Sequence, residues 1–117
     1  MTTMPYTDKV RAVKKQRFRL AQGLPAAMQA FAAMSEAATA PGKLDGKTKG
    51  LIGLALAVGA RCDECIAIHV REANAAGASG EEIVETLGVA ILMGGGPSLM
   101  YATHALTALE EMKEKTE

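Results

Sequence analysis

Apolar side chains recur at three- and four-residue intervals along most of the chain, and glycines or prolines interrupt this pattern repeatedly. That spacing places apolar residues on one face of a helix. A half-buried strand would instead alternate apolar and polar residues over several positions, and no run of Val, Ile, Thr and aromatic residues does so. The pattern therefore predicts an all-α protein, built as a single helical domain of about six helices.

Capping residues, prolines and glycines set the expected ends of these helices. Pro25 and Pro97 suit a first helical turn, where the amide hydrogen that proline lacks would have no partner within the helix. Ser79 and Glu82 have the spacing of a capping box, and Gly77 suits the end of the preceding helix. The predicted helices span about 8–21, 25–39, 45–58, 62–76, 79–93 and 97–112.

Three of these helices carry apolar residues whose place in the fold the pattern suggests. The third is almost entirely apolar after Lys49, which predicts a place at the centre of the domain or of an assembly. An inner face is predicted on the second helix, and a packing face on the sixth. The inner face comprises Leu24, Met28, Phe31 and Met34, and the packing face comprises Leu99, Ala102, Leu106 and Leu109.

Length and composition predict one small domain, residues 1–117, with a thin core. Apolar residues make up 49% of the chain, aromatic residues only 3%, and alanine occurs 22 times. This composition favours closely spaced helices with small side chains at their contacts. We therefore expect a homo-oligomer, because association of subunits adds buried apolar surface.

Charge and hydropathy argue against several classes of partner. Thirteen basic residues balance thirteen acidic ones, and the one basic stretch, 9–19, spreads its charges around a helix, so nucleic acid is not an expected partner. The longest apolar run, 51–60, is half the length of a membrane span, and the N-terminus lacks the apolar core of a signal peptide. A cytoplasmic protein without a membrane partner is predicted.

Both cysteines and one of the two histidines lie within eight residues of each other. In a reducing compartment, two cysteines this close are expected to be redox or metal groups rather than a structural disulfide. At about 100° per residue, Cys62, Cys65 and His69 share one stripe of a helix, and His69 leans back over Cys65. The start of a helix also favours a thiolate. These residues predict a reactive face in which His69 is the base for Cys65.

Redox chemistry and metal binding both fit a cysteine pair of this spacing. A zinc site needs at least three protein ligands, and the chain offers Cys62, Cys65, His69 and the distant His104. Three ligands on two turns of one helix would strain a tetrahedral site, so redox chemistry is favoured, and neither a metal nor a cofactor is predicted. His104 is interpreted as a packing or interface residue.

Five motifs follow one another in the order typical of one protein family. They are Leu44–Lys49, Leu51–Val58, Cys62-x-x-Cys65-x-x-x-His69, Gly77–Ile83 and Gly94–Tyr101. With these motifs the chain, from Lys43 to about Met112, resembles the alkyl hydroperoxidase D and carboxymuconolactone decarboxylase family. The resemblance covers more than half of the chain.

The resemblance implies an all-helical domain that assembles into a homotrimer or homohexamer. In the hydroperoxidase branch, a cysteine pair cycles between dithiol and disulfide while it reduces a hydroperoxide or a disulfide, and a thiol reductant restores it. The decarboxylase proper generally lacks this pair, so Cys62 and Cys65 indicate the redox branch, with His69 as the third catalytic residue. The alternatives are a decarboxylase-like lyase with His69 as acid or base, and a non-enzymatic helical oligomer that binds zinc or senses oxidation.

One position departs from the pattern of the peroxidases. Those enzymes carry a glutamate twelve residues before the first cysteine, as part of a proton relay with the histidine, and this chain has Gly50 there. Loss of that carboxylate is expected to weaken general-base catalysis by about 10²-fold. Glu64 is the predicted substitute in the relay, with Glu36 and Glu85 as alternatives.

Overall fold

Six α-helices account for the fold. The structure, a computed structural model, describes residues 4–116 and the side chains of residues 4–113. Within that range the chain forms no strand, which confirms the all-α prediction, and no helix combines the length and apolarity needed to cross a membrane. The helices are α1 (Tyr6–Gly23), α2 (Pro25–Thr39), α3 (Gly46–Gly59), α4 (Asp63–Ala75), α5 (Gly80–Gly94) and α6 (Gly96–Thr116). Their ends lie within two residues of the predicted ones, except that α6 continues past residue 112.

Side-chain caps begin α3 and α5 where the sequence predicts helix starts. Asp45 accepts a hydrogen bond from the backbone N–H of Thr48 at 2.8 Å. Ser79 Oγ accepts one from the N–H of Glu82 at 3.0 Å, and the Glu82 carboxylate accepts one from the N–H of Ser79 at 2.9 Å. These bonds satisfy amides that have no partner within the helix. The Ser79 N–H, together with Lys47, holds the pKa of the Glu82 carboxyl below its ordinary value.

The core forms where α3 packs against α4, α5 and α6. Leu54 and Val58 of α3, Ile66 and Val70 of α4, and Ile83 of α5 are fully buried. These aliphatic side chains exclude water from the centre of the fold and supply much of its hydrophobic stabilisation. Because α4 contributes two of them, the helix that carries the cysteines is anchored in the core.

Helix α2 lies outside this core. It packs against α1 and α3, and none of its residues is buried. Phe31 and Met34 are 59% and 70% exposed, so the inner face predicted for the second helix is wrong for the single chain. Periodicity identifies an apolar face but not the surface that covers it. On α6, Ala102 and Leu109 of the predicted packing face are buried. Leu99 and Leu106 of the same face are exposed.

Glu82→Gln is expected to make the stability of the protein less dependent on pH. Glutamine keeps an acceptor for the Ser79 N–H but loses the charge. Because the pKa of Glu82 is lowered in the folded state, its charge stabilises the fold above the usual glutamate range, and this contribution is lost as the pH falls through the lowered value. The melting temperature of the wild type should therefore exceed that of Glu82→Gln at neutral pH, and the two should converge in acid.

The matched control for this measurement is Glu81→Gln, which removes a carboxylate from the same helical turn. Glu81 precedes Glu82 in the first turn of α5, but the capping bond to Ser79 belongs to Glu82. A difference in melting temperature that stays constant from neutral to acidic pH would contradict the expected role of Glu82.

Candidate functional site

The candidate site begins at the turn between α3 and α4. Arg61 has a φ of 57°, a left-handed conformation that residues other than glycine rarely adopt. The turn leads to Cys62, whose extended backbone makes it the N-cap of α4. Its Sγ accepts a hydrogen bond from the N–H of Cys65 at 3.2 Å. The first cysteine therefore lies at the start of the helix.

Cys62 and Cys65 form a disulfide, with their Cα atoms 5.2 Å apart. Both residues are half-buried, and the chain has no other cysteine. In the reduced protein, the Cys62 sulfur would remain where the Cys65 amide and the positive end of the helix favour a thiolate. The pair is therefore suited to take up and release two electrons at the same two sulfur atoms.

His69 lies four residues after Cys65 on α4, with its ring against Gly53 of α3. A methyl group at position 53 would lie 2.9 Å from Nδ1, so the ring occupies space that glycine leaves open. Nδ1 is buried, and no protein group that the structure describes forms a hydrogen bond with it, although Oε2 of Glu72 lies 3.3 Å away. The carboxylate is close enough for electrostatic attraction but is not aligned for a hydrogen bond.

Gly50 lies one turn before Gly53 on α3. A methyl group there would lie 3.2 Å from Cα of Ala73 on α4, so the position of the expected relay glutamate is occupied by a close contact between two helices. Glu72 instead brings a carboxylate to His69 from α4 itself. This position of Glu72 was missed in the sequence, although a spacing of three residues makes the two side chains neighbours on a helix.

Glu64, the predicted relay residue, is exposed on the first turn of α4. Glu36 on α2 and Glu85 on α5 are exposed as well. Among the side chains that the structure describes, the carboxylate within ion-pair distance of His69 belongs to Glu72. A part for Glu64 in proton transfer stays a prediction.

A second cluster surrounds Asp63, the first residue of α4. Oδ1 of Asp63 lies 2.7 Å from Nδ1 of His104 on α6. The hydroxyl of Tyr6 on α1 donates to the two carboxylate oxygens at 3.1 and 3.2 Å, and Nζ of Lys9 lies 3.7 Å from Oδ2. Side chains of three helices thus meet at the first turn of the helix that carries the cysteines.

Local sequence patterns do not predict this Asp63 cluster. Its members are separated by 41 and 57 positions in the chain, and no periodicity joins them. His104 has a polar partner in addition to its packing against Tyr101, whose ring centroid lies 4.9 Å away. Burial, followed by the hydrogen bond to Asp63, raises the pKa of Tyr6. The Tyr6 hydroxyl therefore keeps its proton and serves as a donor.

Comparison with known sequences identifies the family. The sequence profile of the carboxymuconolactone decarboxylase family matches residues 25–108. The chain belongs to this family. The matched range includes the whole of α4, the two glycines of α3 that face it, and His104. The resemblance found in the motifs is thereby confirmed.

Similar proteins cover nearly the whole chain. A carboxymuconolactone decarboxylase family protein of Legionella pneumophila is 43% identical, with a TM-score of 0.87 over 91% of this chain and 95% of its own. A family member from Thermotoga maritima, for which a part in the antioxidative response has been suggested, is 36% identical, with a TM-score of 0.81 over 92% and 91% of the two chains. An uncharacterized protein of Cupriavidus necator is 39% identical over 94% of this chain and 97% of its own.

Gly53→Ala is expected to displace the His69 ring while the fold stays intact. The new methyl group would overlap the ring, and the ring, whose side chain is 30% exposed, has room to turn toward solvent. Spectra of ¹⁵N-labelled imidazoles should show shifted resonances for His69 and unchanged ones for His104. Gly59→Ala is the control, because a methyl group at that end of the same helix meets no atom within 4 Å. Unchanged His69 resonances in Gly53→Ala would contradict this placement of the ring.

Proposed function

We propose that this protein is a thiol-dependent oxidoreductase that reduces a hydroperoxide, or a disulfide of another molecule, through Cys62 and Cys65. The observation that carries the proposal is the disulfide at the start of α4, on the same helix as His69. The antioxidative role suggested for the Thermotoga relative agrees with a peroxide as substrate. In this proposal His69 is the catalytic base.

With a hydroperoxide, the reduced pair would react in two steps. His69 takes the proton of Cys65, and the thiolate attacks the terminal peroxide oxygen, so that the O–O bond breaks and the alkoxide leaves as an alcohol with that proton. Cys65 is left as a sulfenic acid. Cys62 then attacks the Cys65 sulfur, the S–S bond forms, and hydroxide leaves as water with the proton of Cys62. Each peroxide thus consumes two thiols.

The surroundings of the two cysteines support this order of attack. Cys65 precedes His69 by about one helical turn, which suits the thiol that needs a base. The sulfur of Cys62 accepts a hydrogen bond from the N–H of Cys65. This bond favours the Cys62 thiolate as the second nucleophile. A disulfide substrate would follow the same order, with a mixed disulfide at Cys65 that Cys62 resolves. A thiol reductant would then return the pair to the dithiol.

We also propose that Glu72 takes the part of the missing relay glutamate. Its Oε2 lies 3.3 Å from Nδ1 of His69, so a small rotation would align the carboxylate as a hydrogen-bond acceptor for Nδ1. A carboxylate that accepts a hydrogen bond from the Nδ1–H would orient the ring, leave Nε2 free to accept the proton of Cys65 and stabilise the imidazolium. The Glu72 side chain is 47% exposed, so water screens its charge, and its effect should be weaker than that of a buried relay residue.

The family match supports a second candidate, a decarboxylase-like lyase. His69 would then act as acid or base on a lactone, and the cysteines would be incidental. Replacing Cys62 and Cys65 together by serine separates the two candidates, because a lyase would keep its activity and a thiol-dependent oxidoreductase would lose it.

A zinc-binding or redox-sensing oligomer is the non-enzymatic alternative. In the described part of the chain, no three His, Cys, Asp or Glu side chains are grouped to hold a metal ion. Metal analysis of the reduced protein addresses this alternative directly, because reduction frees both thiols. Stoichiometric zinc would favour it over the oxidoreductase.

We propose that subunits associate through the apolar face of α2, defined by Leu24, Phe31 and Met34. These side chains are 53%, 59% and 70% exposed in the single chain. Contact of such a face with water is unfavourable, and association of copies would bury it. A homotrimer or homohexamer is the proposed assembly. Neither nucleic acid nor a membrane is proposed as a partner, and a cytoplasmic location stays a prediction.

Fully reduced wild-type protein is expected to lose two thiols for each molecule of a small organic hydroperoxide that it consumes. Cys65→Ser should consume none, because the attacking sulfur is gone. Cys62→Ser should stop at the sulfenic acid of Cys65, since no second thiol is present in the chain to resolve it. Thiol titration and mass spectrometry of the products measure these outcomes.

Two further variants test the base and its carboxylate. His69→Gln should slow thiol oxidation by about 10²-fold, and Glu72→Gln by about threefold, as expected for a partly exposed charge. Glu85→Gln, an exposed carboxylate on α5, is the control. The proposed function would be contradicted if the wild-type thiols persisted in excess peroxide and also failed to reduce low-mass disulfides.

Phe31→Glu is expected to dissociate the assembly, because it places a charge in the apolar face of α2 that association would bury. Light scattering after gel filtration should give the mass of one chain, 12.2 kDa, for this variant. The wild type should give three or six times that mass. Ala33→Glu adds the same charge on another side of α2 and should leave the assembly intact. A monomeric wild type, or a Phe31→Glu variant that stays assembled, would contradict the proposed interface.

A further inference from the structure

The Asp63 cluster lies beside the redox pair, and the catalytic steps proposed above do not use it. Asp63 follows Cys62 directly and is the first residue of α4. A negative charge so near a thiol opposes its ionisation, whereas the start of a helix favours the thiolate. The two influences act against each other unless the charge of Asp63 is balanced by its partners.

Three side chains from other helices supply that balance. Nδ1 of His104 is the nearest, at 2.7 Å from the Asp63 carboxylate. Tyr6 donates its hydroxyl, and its backbone N–H donates to Glu111 at 2.6 Å, which fixes the start of α1 against α6. Nζ of Lys9 lies 3.7 Å from Asp63 and 5.6 Å from the centre of the Tyr6 ring. The Asp63 carboxylate is therefore held by side chains of α1 and of α6.

Among these three partners, the imidazole is uncharged in one protonation state and a cation in the other. The His104 side chain is 41% exposed, so it exchanges protons with solvent. Protonated, it forms a charge-assisted hydrogen bond with Asp63; neutral, it leaves the negative charge to the other partners. The remaining titratable groups around the contact are Glu64 on α4, Tyr101 and Glu111 on α6, and Tyr6 and Lys9 on α1.

We propose that Asp63 and His104 are positioning residues that set the reactivity of the Cys62 thiol. An imidazolium at His104 neutralises Asp63 and allows the helix start to favour the Cys62 thiolate. Loss of its proton restores the effect of the Asp63 charge and makes the thiolate less favourable. Because a stabilised thiolate favours the reduced pair, the same contact shifts the disulfide equilibrium toward the dithiol. The proposal rests on the redox role of the pair, but not on a particular substrate.

The test measures the acidity of Cys62 alone, in reduced Cys65→Ser protein, from the rate of alkylation by iodoacetamide against pH. His104→Gln should slow alkylation at pH 6 by about threefold, because the charge of Asp63 loses its main partner. Asp63→Asn should speed it by about the same factor, because the charge itself is removed. Opposite effects of the two variants are expected, whereas a merely structural role would move both in one direction.

A double variant separates the charge of His104 from its bulk. In the Asp63→Asn background, His104→Gln should have no further effect, because the charge that it balances is gone. Glu110→Gln, which removes an exposed carboxylate elsewhere on α6, is the control and should change nothing.

Tyr6→Phe keeps the test decisive even where His104→Gln fails to fold, because it removes a single oxygen. Tyr6→Phe should slow alkylation, as His104→Gln does, but by a smaller factor. The proposal would be overturned if Asp63→Asn changed the alkylation rate in the same direction as His104→Gln or Tyr6→Phe. It would also be overturned if none of these variants changed the rate.

A second measurement uses the intact pair. At pH 6 in a glutathione buffer, His104→Gln should hold about threefold more disulfide relative to dithiol than the wild type, and an unchanged ratio would overturn the effect on the equilibrium. Neither measurement requires peroxide. A protein that consumes no hydroperoxide but shows these shifts would contradict hydroperoxide as the substrate of the proposed function and leave the control by Asp63 and His104 standing.

Discussion

The close approach of α3 to α4 is the contact on which the rest of the site depends. Gly50 of α3 faces the backbone of Ala73, and one turn later Gly53 leaves the space that the imidazole of His69 occupies. Glycine inside a helix costs about 1 kcal/mol relative to alanine, and the dense packing of the core around these helices offsets that cost. Because α4 is held at its middle by this contact and by fully buried Val70, its first turn is placed against α1 and α6, where Asp63 meets Tyr6 and His104.

The same contact explains why the acidic residues of the site lie where they do. A glutamate at position 50 would have to carry its Cβ within 3.2 Å of the α4 backbone, so close packing and a relay carboxylate compete for one position. In this chain position 50 is a glycine that allows close packing of α3 on α4, and the carboxylates of the site come from α4. Glu72 approaches His69, and Asp63 binds His104. The helix that carries the cysteines therefore also carries the carboxylates that lie next to the two histidines.

Local rules account for the helices and for the alignment of the reactive residues, but not for the contacts that surround them. The capping bonds of Ser79 and the common stripe of residues 62–69 follow from the geometry of one helix, and the sequence predicts both. The bond between Asp63 and His104 joins two helices across 41 positions, and the space at Gly53 is defined by a side chain of another helix. Periodicity cannot supply either, because each depends on how helices are arranged around the core.

Helix α2 shows how polar contacts hold a helix whose residues all stay outside the core. Nζ of Lys49 donates to the carbonyl oxygens of Ala38 and Ala40 at 3.0 and 2.7 Å, where a helix end presents unpaired carbonyls and negative charge. These bonds orient α2 without burying any of its side chains, so its apolar face adds little to the stability of one chain. An identical face on a second copy has matching chemistry. In the proposed assembly the stability of each small core would then depend on subunit concentration, since association would bury surface that the single chain leaves in water.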